Sequence, residues 1–320
     1  MSDIPSTSAI TQFNKFINLR FWLTNPPSAP ADIEIITPKP LPYGVPFGPT
    51  SVISMQRKPE IEISGTFVDE VACPGLSIRV TNLATEIPLW QYEDHMMEIE
   101  VGYQSSMKTA LKLKGRIMTA SMEKPSPDSV TVFSLWLGNL TALNTQLIHE
   151  HYSSNSGATV GTVLYDVASA MSDDYFQYIV YGDHADGAMK IPLQGAFDYS
   201  GTINDMLTEL KRAYGLSIMI FQDQIRVIRE NHAFSADTFD LTYVTSITRH
   251  AGAFTIKAPW TPGITPNTLI EFDPRYYKQT LGGAAAPSPP KVKQRVLTVD
   301  FAFSTVGKTN TMTLMTLGDV

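Results

Sequence analysis

The sequence predicts a mainly β protein with a small α+β unit inserted between β regions. Three observations carry this reading. Between residues 60 and 137, five segments alternate apolar and polar side chains at period 2. The same alternation returns after Phe234. Between these regions, two segments switch to the 3.6-residue period of amphipathic helices. Period 2 turns one face of a strand to a core and the other to solvent or a partner. Period 3.6 lines one side of a helix.

The elements follow in order. Phe13, Phe16, Ile17, Leu19, Phe21, Trp22 and Leu23 form an apolar cluster, and Ile33–Ile36 is a short β-like run. Pro38–Pro49 carries five prolines. It cannot be helix, because proline lacks the amide donor and clashes with the preceding turn. It reads as a linker or as an ordered loop packed on a neighbouring surface, and Tyr43, Val45 and Phe47 favour the loop. From Glu60 the apolar positions alternate: Ile61 and Ile63; Leu76, Ile78 and Val80; Met97, Ile99 and Val101; Leu111, Leu113 and Ile117; Val130, Val132 and Trp136. Turn signals at Pro74-Gly75, Gln104–Ser106 and Pro125–Asp128 separate the runs. Closely spaced strands with such turns read as a sandwich or barrel.

Val160, Val163, Leu164, Val167, Ala168 and Met171 lie on one helix face, and Ile203, Met206, Leu207, Leu210, Ala213 and Tyr214 repeat the template. Ser200 or Thr202 caps the second helix, and Gly215 stands where a left-handed C-terminal residue is wanted. The helices align, Thr159–Val167 on Thr202–Leu210. Each is followed by β-prone residues, Phe176–Tyr181 and Leu216–Phe221; the latter pairs with Gln224–Arg229 through Gln222-Asp223. Residues 158–239 are therefore expected to form the α/β unit. Strands return at Leu241–Thr248, Ala253–Ala258, Thr268–Phe272, Arg295–Ser304 and Thr311–Leu317, with a flexible-composition loop at Gly282–Pro290. The flanking regions 105–157 and 240–320 each look too small or open alone. They are expected to combine into one β domain around the insertion.

Composition narrows the function. Hydrophobic residues make up 43% of the 320 residues, which fits a globular chain that needs no disulfide or metal staples. Charged residues make up only 17%, against about 25% in ordinary soluble domains. Such a surface suits large contacts with other chains rather than a solitary monomer. The net charge of −7 and the lack of a Lys/Arg run that would hold phosphates argue against a nucleic-acid binder. Cys73 is the single cysteine, which excludes an intrachain disulfide framework and reads as inert packing beside Pro74-Gly75. The start, Met1 to Arg20, lacks a basic segment followed by a continuous apolar stretch, so no export signal or membrane anchor is expected. The longest apolar run, Leu216–Phe221, falls far short of the ~20 residues that span a bilayer.

Chemistry-bearing motifs are sparse. Gly307-Lys308-Thr309 lacks the preceding glycine and following helix of a phosphate loop, and reads as a hairpin turn. His149-Glu150-His151 is the best metal candidate, since residues i and i+2 of a strand share a face. No third ligand has a recognisable spacing, and the segment is expected between a strand and a helix. Glu93-Asp94-His95 and Asp173-Asp174 read as polar turns. There is no Gly-x-Ser-x-Gly elbow and no Cys/His pair near an acid. No catalytic residue, metal ligand or cofactor site is assigned, and an enzyme is not expected.

Four segments in order resemble a phage tail baseplate hub protein, of the family called gp27-like or late-control-D-like. They are Met97–Tyr103, a strand ending in Gly-Tyr; Leu113–Met118 followed by Val130–Leu137; the helix, glycine, strand, turn, strand module Thr202–Val227; and the Pro/Gly segment Trp260–Ile270 before a late strand. Lys114 stands where the family commonly has an aromatic, and Pro266-Asn267 where it commonly has Pro-Gly. The resemblance covers residues 60–320.

The resemblance implies two tail-tube-like β-barrels in one chain. Residues 1–59 would be a Pro-rich arm or part of the first barrel, 60–104 the first barrel, and 105–157 with 240–320 the second. It implies a homotrimeric ring that joins a sixfold tail tube to a threefold spike or fibre complex, with a bore for DNA. The implied partners are the tail tube or distal tail protein, the spike or central fibre protein and the tape-measure protein. The implied location is the tail baseplate of a virion assembled in the host cytoplasm. Net acidity suits a bore that should not trap a polyanion. Tyr43, Phe47, Trp90, Tyr92 and Trp260 are the candidate interface residues. A cell-wall hydrolase would instead require a carboxylate pair in a cleft. A carbohydrate- or receptor-binding tail protein would require Trp90, Tyr92 and Trp260 along an exposed groove.

Overall fold

The computed structural model describes residues 15–23, 31–36, 60–83, 89–103, 111–123, 129–153, 157–182, 187–194, 197–230, 232–234, 238–241, 244–250, 253–261, 263–272, 291–305 and 310–317. Pro38–Pro49 with Tyr43 and Phe47, Gln104–Ser106, Pro125–Asp128, Gly282–Pro290 and Gly307–Thr309 lie outside the described residues. The strands are β1 (Lys15–Trp22), β2 (Ile33–Ile36), β3 (Ile61–Val68), β4 (Gly75–Thr81), β5 (Met96–Tyr103), β6 (Leu111–Glu123) and β7 (Val130–Trp136), then β8 (Leu147–Tyr152), β9 (Ile179–Gly182), β10 (Phe197–Thr202), β11 (Leu216–Phe221), β12 (Gln224–Arg229), β13 (Thr238–Leu241) and β14 (Ser246–His250), and finally β15 (Ala253–Ala258), β16 (Leu269–Phe272), β17 (Val292–Ser304) and β18 (Asn310–Leu317). The α-helices are α1 (Leu140–Thr145), α2 (Val160–Met171) and α3 (Ile203–Tyr214). The protein is mainly β with an α/β element, as the periodicities predict.

The chain divides into two compact units. One comprises Met1–Ser64, Leu76–Leu135 and Ala302–Asn310; the other comprises Gly65–Gly75, Trp136–Phe301 and Thr311–Val320. Several strands, β3, β4, β7, β17 and β18, contribute residues to both.

In the first unit the ladder order runs β2, β1, β5, β6, β7, β4, β3 and the end of β17. Register explains the core. Leu19 lies opposite Ile99, which lies opposite Leu113; Phe21 lies opposite Met97, which lies opposite Gly115. The side chains of Leu19, Ile99, Leu113, Phe21 and Met97 are buried in rows, and each full burial of such a side chain contributes about 1.5–3 kcal/mol. Phe21, Tyr92 and Phe133 close the row with ring centroids 5.3–5.4 Å apart. Strand β1 shows no alternation because Lys15, Phe16, Ile17, Asn18 and Leu19 are all buried, on both faces. Its pattern therefore reads as an apolar cluster in sequence. Among the described residues no ladder joins β2 back to the other end, so the expected closed barrel is an open order here. The end strand β2 is only four residues long.

In the second unit β14, β15, β18 and β17 pair in that order, and β16 joins β17 on one side and β13 on the other. This order is likewise open among the described residues. The α/β element has a separate sheet, β11–β12–β9, in which β12 runs antiparallel to β11 and parallel to β9. Every residue of β11 is buried, a pattern that continuous apolar strands adopt when covered on both faces. Helix α2 carries a capping box in which the Thr159 side chain accepts from the Thr162 amide. For α3 the cap is Thr202, whose hydroxyl accepts from the Asp205 amide, and Gly215 ends the helix at φ 58. A side chain at that angle is strained, so glycine fits the stop.

A line of rings threads the second unit. Trp260 stacks on Phe301 at 5.2 Å and 14°. Phe301 meets Phe67 at 5.1 Å, and Phe67 meets Phe221 edge-on at 5.1 Å. The Arg226 guanidinium lies 5.3–5.6 Å from the rings of Tyr181, Phe221 and Phe234 and donates to the Thr265 hydroxyl at 2.9 Å. A cation over several ring faces is held by their quadrupoles as well as by its hydrogen bonds.

Candidate functional site

The acid, base and thiol groups singled out in sequence serve local structure. Glu93-Asp94-His95 is a turn clamped on β6: the Asp94 amide donates to the Ile117 carbonyl at 2.8 Å, and the Ile117 amide donates to the His95 carbonyl at 2.9 Å. The Asp173 carboxylate accepts from the amides of Tyr175 and Phe176 at 2.8 and 2.7 Å and from the Asn139 side chain at 2.9 Å. Its oxygens therefore cap a turn after α2.

Cys73 is buried, and burial pushes its thiol up to about 12. Its surroundings are tight. A Cβ added at Gly138, which sits at φ +142, would lie 2.8 Å from the Tyr178 hydroxyl and 2.9 Å from Cys73 Sγ. Because the folded thiol pKa is raised, its contribution to stability is complete below the ordinary value of 9.0 and is lost as pH rises through about 12. Ellman's reagent is expected to leave Cys73 unmodified at pH 8 in native buffer and to titrate one thiol per chain in denaturant. Rapid modification of the folded chain would show that this site opens.

His149-Glu150-His151 lies on β8, not between a strand and a helix as the sequence suggested. This strand pairs antiparallel with β10, His149 opposite Ser200 and His151 opposite Asp198. The Ser200 hydroxyl and His149 Nδ1 are 2.7 Å apart, and His151 Nδ1 contacts an Asp198 carboxylate oxygen. Among the described residues no group of three His, Cys, Asp or Glu stands together as a metal cage.

The candidate interface residues separate by burial. Trp90, in the 3-10 turn Leu89–Tyr92, is 68% exposed. Tyr92 and Trp260 are 1% and 2% exposed and pack inside their own units. Their rings stabilise the fold rather than offer surface.

The polar sheet faces differ. In the first unit Arg20 pairs with Glu98 at 2.6 Å, and Asn18 donates to Glu100 at 3.0 Å. Glu98 and Glu100 lie opposite Lys114 and Lys112. Opposite charges thus alternate across the strands, which stabilises the pairing without leaving a large field of one sign. In the second unit, Thr248 lies opposite Thr255 and Thr255 opposite Met315, while Lys257 lies opposite Thr313. That face is nearly neutral, and Met315 is 49% exposed.

Sequence reasoning missed a polar cluster in the second unit. Asn267 Nδ2 donates to Asp69 Oδ1 at 3.1 Å and to Ser217 Oγ at 2.7 Å, and Ser217 Oγ donates to the same carboxylate. Arg295 Nη1 donates to Asn267 Oδ1 at 3.1 Å and to the His232 carbonyl at 3.2 Å. Burial lowers the affinity of Arg295 for its proton, while Asp69 and Glu230 oppose this. Lys211 Nζ donates to the Asp69 carbonyl at 3.0 Å. Beside it, an open cleft of about 510 Å³ is lined by Glu70, Thr208, Lys211, Arg212 and Glu230, a mixed-charge rim.

No protein-family model matches this sequence, and no curated protein sequence matches it either. Solved structures do. A tail protein from Neisseria meningitidis MC58 is similar with a TM-score of 0.60 at 8% identity, over 95% of this chain and 96% of that one. The 43 kDa tail protein of prophage MuSo2 from Shewanella oneidensis is similar with a TM-score of 0.58 at 8% identity, over 95% of this chain and 98% of that one. The E. coli c3393 protein is similar with a TM-score of 0.55 at 10% identity, over 84% of this chain and 76% of that one. It is described as a type VI secretion component with structural similarity to the T4 tail proteins gp27 and gp5. The chain therefore has a fold found in phage tail proteins.

Proposed function

We propose that this chain is a structural hub of a phage-type tail tip. Three copies form a ring that joins the sixfold tail tube to a threefold spike or fibre complex and lets DNA pass. The observation that carries this reading is the fold likeness to two tail proteins over 95% of the chain. The low charge, 17% of residues, supports extensive burial between copies, and a net charge of −7 supports a bore that does not retain a polyanion. Two β-rich units in one chain suit a protein that presents two tube-like modules per copy. Its partners on this reading are the tube or distal tail protein on one side, the spike or central fibre on the other, and the tape-measure protein.

The mass of the purified protein tests this directly. Native mass spectrometry is expected to give three times the 35.3 kDa of one chain. Electron microscopy of assembled particles is expected to show threefold symmetry at this layer. A persistent monomer in assembled particles, or a sixfold ring, would sink the reading. Trp90→Ser, which removes an exposed ring, is expected to weaken the trimer while leaving the circular dichroism spectrum unchanged.

A further inference from the structure

We propose that His149 and His151 form a two-imidazole site for a borderline divalent transition-metal ion, independent of the hub reading. Both residues occupy β8 at i and i+2, so their side chains leave the ribbon from one face, separated by about 6.6 Å of strand. The antiparallel pairing with β10 then places a partner across from each ring. His151 Nδ1 meets the Asp198 carboxylate, which accepts only, so this nitrogen carries the proton. His149 Nδ1 meets the Ser200 hydroxyl at 2.7 Å. An acceptor on Nδ1 fixes the tautomer and orientation of a metal-binding imidazole and leaves its Nε2 lone pair for the ion; Asp198 is that acceptor for His151, and the Ser200 hydroxyl, which can accept as well as donate, orients His149.

The ribbon is braced from its other face. Phe197 packs on Tyr152 at 6.2 Å and stacks with Tyr199 at 6.5 Å. The Tyr152 hydroxyl donates to Asp166 on α2 at 2.8 Å, and the Tyr199 hydroxyl donates to the Thr202 carbonyl at 2.9 Å. The histidine face is open to water: the side chains of His151 and Asp198 are 65% and 71% exposed. An ion binding there gives up little hydration beyond what the two nitrogens replace. The protein supplies two ligands, and water completes the shell, since no third protein ligand joins them among the described residues. Imidazole ligands suit Zn²⁺, Ni²⁺ and above all Cu²⁺, whereas Mg²⁺ and Ca²⁺ prefer oxygen.

The test is a titration of the full chain with Cu²⁺, Ni²⁺ and Mg²⁺ by calorimetry, with electron paramagnetic resonance of the Cu²⁺ form. Expected are one Cu²⁺ site per chain with two coordinating nitrogens, weaker Ni²⁺ binding and no Mg²⁺ binding. His149→Ala and His151→Ala are each expected to weaken Cu²⁺ binding about tenfold or more, and Asp198→Asn about tenfold. All three positions are exposed, so the fold stays in place. A His149→Ala/His151→Ala double variant that binds Cu²⁺ as tightly as the natural chain, or a spectrum with fewer than two nitrogens, overturns the proposal.

Discussion

Asn267→Ala is expected to lower the stability of the chain by about 3–5 kcal/mol, more than an ordinary polar-to-alanine change. Asn267 is 1% exposed and is the hinge of the Asp69, Ser217 and Arg295 cluster. Removing its amide leaves the Arg295 guanidinium, itself 3% exposed, without one of its acceptors, and takes one donor from Asp69. A stranded buried polar group costs about 1–3 kcal/mol, more when charged. The backbone adds a second cost. Asn267 stands at φ 66, which asparagine tolerates and alanine adopts at about 1–2 kcal/mol. Asn267→Gly separates the two effects: it loses the same hydrogen bonds but keeps the backbone at ease, so it should recover about 1 kcal/mol. Guanidinium unfolding followed by circular dichroism measures all three chains. If Asn267→Ala falls within about 1 kcal/mol of the natural protein, the cluster is solvated and contributes no lock.

This cluster also shows what a sequence hides. Asp69 and Asn267 are 198 residues apart, and Asp69 and Ser217 are 148 apart. No spacing rule joins them; only the fold does. Helices α2 and α3 were legible because their apolar faces repeat every 3.6 residues, whereas the six-residue α1 is too short to show that period and was missed. Most strands were legible because one face is buried and one is not. Where this fails, the pattern fails: β1 is buried on both faces, while β8 is exposed at most positions and carries no apolar alternation. The ribbon of β8 and β10 was therefore unseen, although its His-x-His spacing was visible. The reason those two imidazoles matter, Asp198 and Ser200 opposite them, lies about 50 residues downstream in a strand with only weak alternation.

Trp260→Ala is expected to destabilise the chain by about 3–5 kcal/mol, the range for truncating a large buried aromatic. Trp260 follows Pro259 at the end of β15 and is 2% exposed. Its indole lies flat on Phe301, which continues through Phe67 to Phe221. Truncation removes the first ring of this line and leaves a cavity beside Phe301. Trp260→Phe keeps a stacked ring and should cost less than half as much. Truncating Trp90, as in Trp90→Ser, should behave in the opposite way. That ring is 68% exposed, so its loss costs the fold little. Unfolding measurements on the two variants, made beside their assembly state, therefore distinguish core from contact surface. On the proposed trimer, Trp260→Ala should lose assembly only at denaturant concentrations that unfold it, whereas Trp90→Ser should weaken assembly while still folded. A folded Trp260→Ala chain that fails to assemble would place this residue at a contact between copies and would contradict its burial in the second unit.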